Sequence, residues 1–158
     1  MRVTVSTLLR CAPERAWQEV QTPRLMGYVA RPLVQFAPIT PERFPDTWLE
    51  GRYLVRMRLF GIFPSGTQWI VIRRAAGPEY ELFDDGHGEL ITQWRHHITL
   101  RRTPEGFTHY TDTVDLKAGW LTAGMGLYAH LYFRHRQRRW RRLVRNNFRY
   151  EEPAGGGP

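Results

Sequence analysis

Cysteine is almost missing from this chain: Cys11 stands alone in 158 residues. A single thiol excludes internal disulfides and cysteine-built zinc sites, and the six histidines show no paired metal-ligand spacing, so neither metal nor cofactor is expected. Long apolar runs are missing as well. No uncharged stretch approaches the roughly 18 residues of a membrane span. The start, Met1-Arg2-Val3-Thr4-Val5-Ser6, alternates polar and apolar where a secretory leader would be continuously apolar. The expectation is a soluble, cytoplasmic protein. Lysine is nearly absent too, Lys117 being the only one among 23 basic residues.

Acidic residues are missing where basic ones gather. Lys+Arg 23 against Asp+Glu 15 gives +8, and Arg134, Arg136, Arg138, Arg139, Arg141, Arg142, Arg145 and Arg149 follow one another with no acid between them. Setting these eight aside leaves 15 against 15, so the whole net charge sits on one C-terminal segment. Guanidinium forks pair with phosphate oxygens, which makes an anionic membrane surface the expected transient partner of Arg138, Arg139, Arg142 and Arg145, and nucleic acid a less favoured one. A solvated helix face is the plain alternative.

What is present is enough for one core: 42% of residues are hydrophobic and 13% aromatic. Val3, Val5, Thr7 and Leu9 alternate as a first strand. Pro13 and Glu14 open a helix with Ala16, Trp17 and Val20 as its buried stripe, and Thr22-Pro23 opens a second, packing Leu25, Met26, Tyr28 and Val29 before Arg31-Pro32 ends it. From Leu33 the period changes to two. Strands are expected at 33–39, around Tyr53, Val55, Met57 and Leu59, at 68–74, at 79–84, at 90–102 and at 107–116, with turns at 61–66, at Ala76-Gly77-Pro78 and at Asp84-Asp85-Gly86-His87-Gly88. No helical pattern interrupts this meander, so the sheet is antiparallel. After Gly119 a helical period returns: Met125, Tyr128, Tyr132, Arg136, Trp140, Leu143 and Asn147 line one face of a helix over 121–147, roughly 40 Å long. Residues 1–148 read as one domain and 149–158 as a disordered tail.

Strand, two short helices, six strands and a long C-terminal helix is the order of the helix-grip fold, an α+β architecture in which a curved antiparallel sheet of six to seven strands wraps a long helix. It resembles the START-like (SRPBCC) superfamily, which includes birch-pollen allergen relatives, lipid-transfer START domains and polyketide cyclases. Trp94-Arg95-His96, Asp112-Thr113-Val114, Gly119 and Phe133-Arg134-His135-Arg136 are similar to an uncharacterised bacterial ligand-binding group within it, although Ala118 and Leu116 stand where that group often has Pro and Tyr. The resemblance implies a hydrophobic cavity between sheet and helix and no particular chemistry.

Thr103-Pro104-Glu105-Gly106 has the form of a hairpin turn. If Thr103 pairs with Phe107, paired numbers sum to 210, which sets His96 opposite Val114, Ile98 opposite Asp112, and His96 and Asp112 on one otherwise apolar face. Each then needs a polar partner, and Arg136 on the inward stripe is the expected cation for Asp112. Three roles are open to this cluster: a network fixing helix to sheet, a seat for a ligand's polar head, or acid–base chemistry with His96 as the catalytic candidate. His96 and His97 point to opposite faces and share no ligand. Tyr128 and Tyr132 suit either core packing or a ligand carbonyl. The expected cavity lining is Tyr53, Val55, Met57, Trp69, Trp94, Ile98, Tyr110, Met125, Tyr128 and Tyr132, with His96, Asp112 and Arg136 as polar contacts. The expected function is binding of a small hydrophobic molecule or lipid as carrier, sensor or transfer protein. An enzyme of the cyclase or aromatase kind and a basic nucleic-acid module are the alternatives.

Overall fold

The computed structural model describes residues 1–74, 80–89 and 91–150. The expected turn at Ala76-Gly77-Pro78, Leu90 and the tail from Glu151 lie outside them. The chain forms β1 (Arg2–Leu9), α1 (Pro13–Val20), α2 (Pro23–Ala30), β2 (Val34–Thr40), β3 (Gly51–Leu59), β4 (Phe63–Arg74), β5 (Tyr80–Gly88), β6 (Gln93–Arg102) and β7 (Thr108–Lys117). A 3-10 turn, Gly119–Leu121, then leads into α3 (Thr122–Arg145). One sheet holds all seven strands in the order β1-β7-β6-β5-β4-β3-β2, every pair antiparallel.

Local chemistry explains the short elements. Pro13 and Pro23 occupy first-turn positions where no amide donor is needed, and the Thr22 hydroxyl accepts the Leu25 amide at 3.1 Å. Between β6 and β7 the pairing sums to 210 throughout, so His96 faces Val114 and Ile98 faces Asp112 as the hairpin turn requires. Helix α3 packs chiefly on β1, β7 and α2. Ala129, Phe133, Trp140 and Leu143 are buried there, each large side chain contributing about 1.5 to 3 kcal/mol by leaving water. Packing reaches past residue 148: the Tyr150 ring meets Tyr28 edge-on at 5.1 Å, and its hydroxyl donates to Glu19.

Two expected turns are strand instead. The turn at 61–66 is short, β4 already beginning at Phe63. More consequential is Asp84-Asp85-Gly86-His87-Gly88, which continues β5. Regular pairing of β4 with β5 lapses between Trp69↔His87 and Ile72↔Asp84, and there the Val71 amide donates to Asp84 Oδ1 at 2.8 Å. Glycine is required at this pinch because a Cβ on Gly86 would lie 2.7 Å from the Trp69 carbonyl oxygen. Gly and Asp, which read as turn formers by composition, here let one strand press closely on its neighbour.

Candidate functional site

Because α3 leans toward β1 and β7, space remains between it and strands β3 to β6. That space is a cavity of about 280 Å³. Met57 and Leu59 of β3, Ile70 and Ile72 of β4, Leu82 of β5 and Trp94 and Ile98 of β6 form its apolar floor. Met125, Tyr128, Tyr132 and Arg136 of α3 form its roof, and Met26, Phe36 and Trp48 close it at one side.

The wall also carries polar groups: Ser65, Thr67, Gln68 and Glu89, with the Thr67 hydroxyl donating to Glu89 at 2.7 Å, and the set Asp84, His96 and Arg136. Asp112 is 1% exposed, yet its carboxylate accepts three hydrogen bonds: Oδ1 from His96 Nε2 at 2.8 Å and from the Tyr110 hydroxyl at 2.9 Å, and Oδ2 from Gln137 Nε2 at 3.1 Å. Burial pushes the Asp112 pKa up, but the Arg136 charge and these hydrogen bonds outweigh it and hold the carboxyl below its ordinary range. Burial lowers the His96 pKa, leaving a neutral ring. The neutral ring must then donate from Nε2 to the carboxylate, so Nδ1 is an acceptor.

Asp84 behaves differently. It lines the same cavity, one strand away from His96 with which it is paired, and desolvation raises its pKa to about 7, the Val71 amide and Arg136 opposing only in part. Arg136 is 9% exposed and its guanidinium lies 5.2 Å from the Phe133 ring centroid and 5.6 Å from that of Tyr132. It makes no ion pair among the described residues, and its Nε has no hydrogen-bond partner. The expected direct pairing of Arg136 with Asp112 is replaced by a longer-range attraction, with Tyr110, His96 and Gln137 taking three of the carboxylate's roughly four acceptor positions.

Of the expected lining, Met57, Trp94, His96, Ile98, Tyr110, Met125, Tyr128, Tyr132 and Arg136 meet at the cavity. Tyr53, Val55 and Asp112 are buried behind its wall; the Tyr53 hydroxyl donates to the Leu49 carbonyl, tying down the loop that carries Trp48. Trp69 was expected inside and is not: the inward residues of β4 are Gln68, Ile70 and Ile72, and Trp69 stacks beneath Arg52 at 4.5 Å. Starting the strand's alternation from Trp69 instead of Gln68 inverts its faces, since neighbours in a strand point oppositely. Asp84, Gln68 and Trp48 were not anticipated. Asp84 had a signal, because Leu82, Asp84, Gly86 and Gly88 share a face once the strand is carried through the glycines. Among the described residues no three His, Cys, Asp or Glu side chains gather as a metal site would require.

The basic segment is partly engaged within the fold. Arg139 Nε donates to the Tyr28 carbonyl at 2.8 Å with its guanidinium over the Tyr28 ring, and Arg141 donates to the Thr7 hydroxyl at 2.6 Å. Glu14 and Glu19, possible counter-charges from α1, instead pair with Arg102 and Arg15.

A family described as "Domain of unknown function (DUF8410)" matches residues 7–144, nearly the whole of the folded region. The chain belongs to this DUF8410 family. A comparison with curated proteins gives no match. Solved structures are similar in fold to this DUF8410 protein. A Chromobacterium violaceum protein is 14% identical with a TM-score of 0.70, covering 90% of this chain and 96% of its own. A START superfamily protein from Mycobacterium smegmatis is 12% identical with a TM-score of 0.68, covering 92% and 98%. An AHSA1-like protein from Aeromonas hydrophila is 12% identical with a TM-score of 0.64, covering 98% and 100%. The fold of this DUF8410 protein is START-like, and no helix among the described residues is long and apolar enough to cross a membrane.

Proposed function

We propose that this DUF8410 protein binds a small, largely apolar molecule in the cavity between the sheet and α3, as a carrier, sensor or transfer protein. The observation that carries this reading is a cavity of about 280 Å³ whose wall is largely apolar, with Asp84, His96 and Arg136 among its few polar groups. Pockets of this composition hold ligands by burying apolar surface and orient them with few polar groups. Native mass spectrometry of the protein as purified, followed by titration with the neutral dye Nile red, tests it. Saturable binding at one site per chain with quenching of tryptophan fluorescence is expected, because Trp48 and Trp94 line the cavity. Absence of saturable binding across a varied lipophilic library would remove the reading.

A catalytic reading of the cyclase or aromatase kind is favoured by one observation, a carboxyl with a pKa of about 7 facing the same space. On that reading Asp84 exchanges the proton. His96, held by Asp112 and lowered by burial, orients and accepts hydrogen bonds. Loss of turnover in Asp84→Asn with ligand affinity retained would support it.

Loading from an anionic lipid surface is proposed for the outer face of α3. Leu127 and Leu131 are exposed there at 64% and 58%, with Trp120 at 91% just before the helix, and Arg134, Arg138 and Arg145 continue the same face toward the C-terminus. An apolar half followed by a cationic half suits acyl chains beside anionic headgroups. A nucleic-acid module needs no enclosed apolar cavity.

A further inference from the structure

Arg136 is a buried cation with an incomplete shell. A guanidinium stays protonated, and removing it from water is costly unless an anion and hydrogen-bond acceptors replace that water. Its Nε is inaccessible and unpartnered, and no carboxylate of the described residues lies within ion-pair distance. The nearest candidate, Asp112, is already held by Tyr110, His96 and Gln137. Asp84, the other carboxyl that acts on Arg136, has Oδ1 engaged by the Val71 amide. The guanidinium nevertheless lines the cavity.

We infer that the ligand of this cavity is an organic acid: its carboxylate pairs with Arg136 and its apolar body lies along the floor formed by β3 to β6. This rests on the cavity reading above and adds the ligand's charge to it. A carboxylate fits the planar fork of a guanidinium with two parallel hydrogen bonds, which a neutral carbonyl or hydroxyl cannot reproduce. A second polar feature faces the same space: the Tyr128 hydroxyl is also buried without a partner, about 12 Å from Arg136 along α3 at 1.5 Å per residue. It stands where a hydroxyl or carbonyl farther along the acid would lie.

The arriving negative charge acts on the groups around it. These are Asp84 of β5, Glu89 just after that strand, His96 of β6, Tyr110 and Asp112 of β7, and Tyr128, Tyr132 and Arg136 of α3; Glu89 is exposed and accepts from the Thr67 hydroxyl at 2.7 Å, and β3 and β4 contribute no charged side chain to the cavity. Asp112 is locked as an anion by its three donors, and the tyrosines, raised by burial, stay neutral. Asp84 is the group able to yield by taking a proton from solvent, so that one anion is held where two would repel. Binding of the acid is accordingly coupled to proton uptake and weakens as pH rises through about 7.

Calorimetric titration of the unaltered protein with two matched pairs, decanoate against 1-decanol and 2-naphthoate against 2-naphthol, tests this. In at least one pair the acid is expected to bind tenfold or more tightly than its alcohol at pH 7. Arg136→Gln is expected to bring the two within threefold. Repeating the acid titration at pH 7.5 in buffers of different protonation enthalpy is expected to report uptake of about half a proton or more, absent in Asp84→Asn. If the alcohols bind as tightly as the acids, the inference is overturned and the apolar-cavity reading stands. If none of the four binds, the inference is overturned, and the Nile red and lipophilic-library titrations decide the apolar-cavity reading separately. The comparison of acid with alcohol needs no variant, so a poorly folded Arg136→Gln does not shield the inference.

Discussion

His96 Nε2 lies 2.8 Å from Asp112 Oδ1, across the β6–β7 pairing, and the contact is a neutral imidazole donating to a buried carboxylate. Asp112 is thereby the centre of a network joining β6, β7, β1 and α3, since Gln137 Nε2 donates both to Asp112 and, at 2.7 Å, to the Val5 carbonyl.

Asp112→Ala removes the acceptor for three buried donors and leaves the Arg136 charge without its compensating anion. A loss of about 3 to 5 kcal/mol is expected, against less than about 0.5 kcal/mol for the surface control Glu105→Ala. Urea denaturation of both variants checks the difference. Equal midpoints would mean that the network does not hold helix to sheet.

Asp84→Asn gives a pH signature. Its carboxyl pKa is raised in the fold to about 7, so the folded state holds the proton more tightly than the unfolded chain does. Its contribution is therefore full below the ordinary carboxylate range and is lost as pH rises through about 7. Asparagine keeps the oxygen that accepts the Val71 amide and cannot ionise. The variant is expected to match the unaltered protein at about pH 3.5, below the ordinary carboxylate range, and to exceed it at pH 8 by roughly 2 to 4 kcal/mol. His96, whose pKa is lowered by burial, works in the opposite direction but is common to both proteins and cancels in the difference.

Replacing Arg134, Arg138 and Arg145 by Gln is expected to weaken cosedimentation with vesicles containing phosphatidylserine without changing the melting temperature by more than a few degrees. All three side chains are exposed, in contrast to Arg139, whose replacement should destabilise by releasing α2 at Tyr28. Binding to anionic vesicles should fall steeply with salt. Equal cosedimentation with neutral vesicles at low salt would reduce these arginines to solvation of the helix.

Periodicity made the architecture legible because the switch from period two to period 3.6 at Gly119 separates sheet from helix, and the Thr103-to-Gly106 turn sets the register that places His96 and Asp112 on one face. Local composition misled at two places. Asp84 to Gly88 carries turn residues, but tertiary crowding against the Trp69 carbonyl demands the glycine and turns Asp84 into a substitute hydrogen-bond acceptor. Trp69 sits in Gln68-Trp69-Ile70, where a buried Gln and a half-exposed Trp invert the usual hydrophobic signal. That Arg136 forms no ion pair among the described residues could not be read from the chain either, because it depends on which donors Asp112 has already collected.

Met57→Trp tests the central claim most directly. Met57 lines the cavity, and an indole there fills space that a ligand would occupy. Calorimetric titration of Nile red into the unaltered protein and into Met57→Trp, with circular dichroism to confirm that both are folded, is predicted to give saturable binding at one site in the first and a loss of tenfold or more in the second. Equal binding to both folded proteins would contradict a ligand site between the sheet and α3.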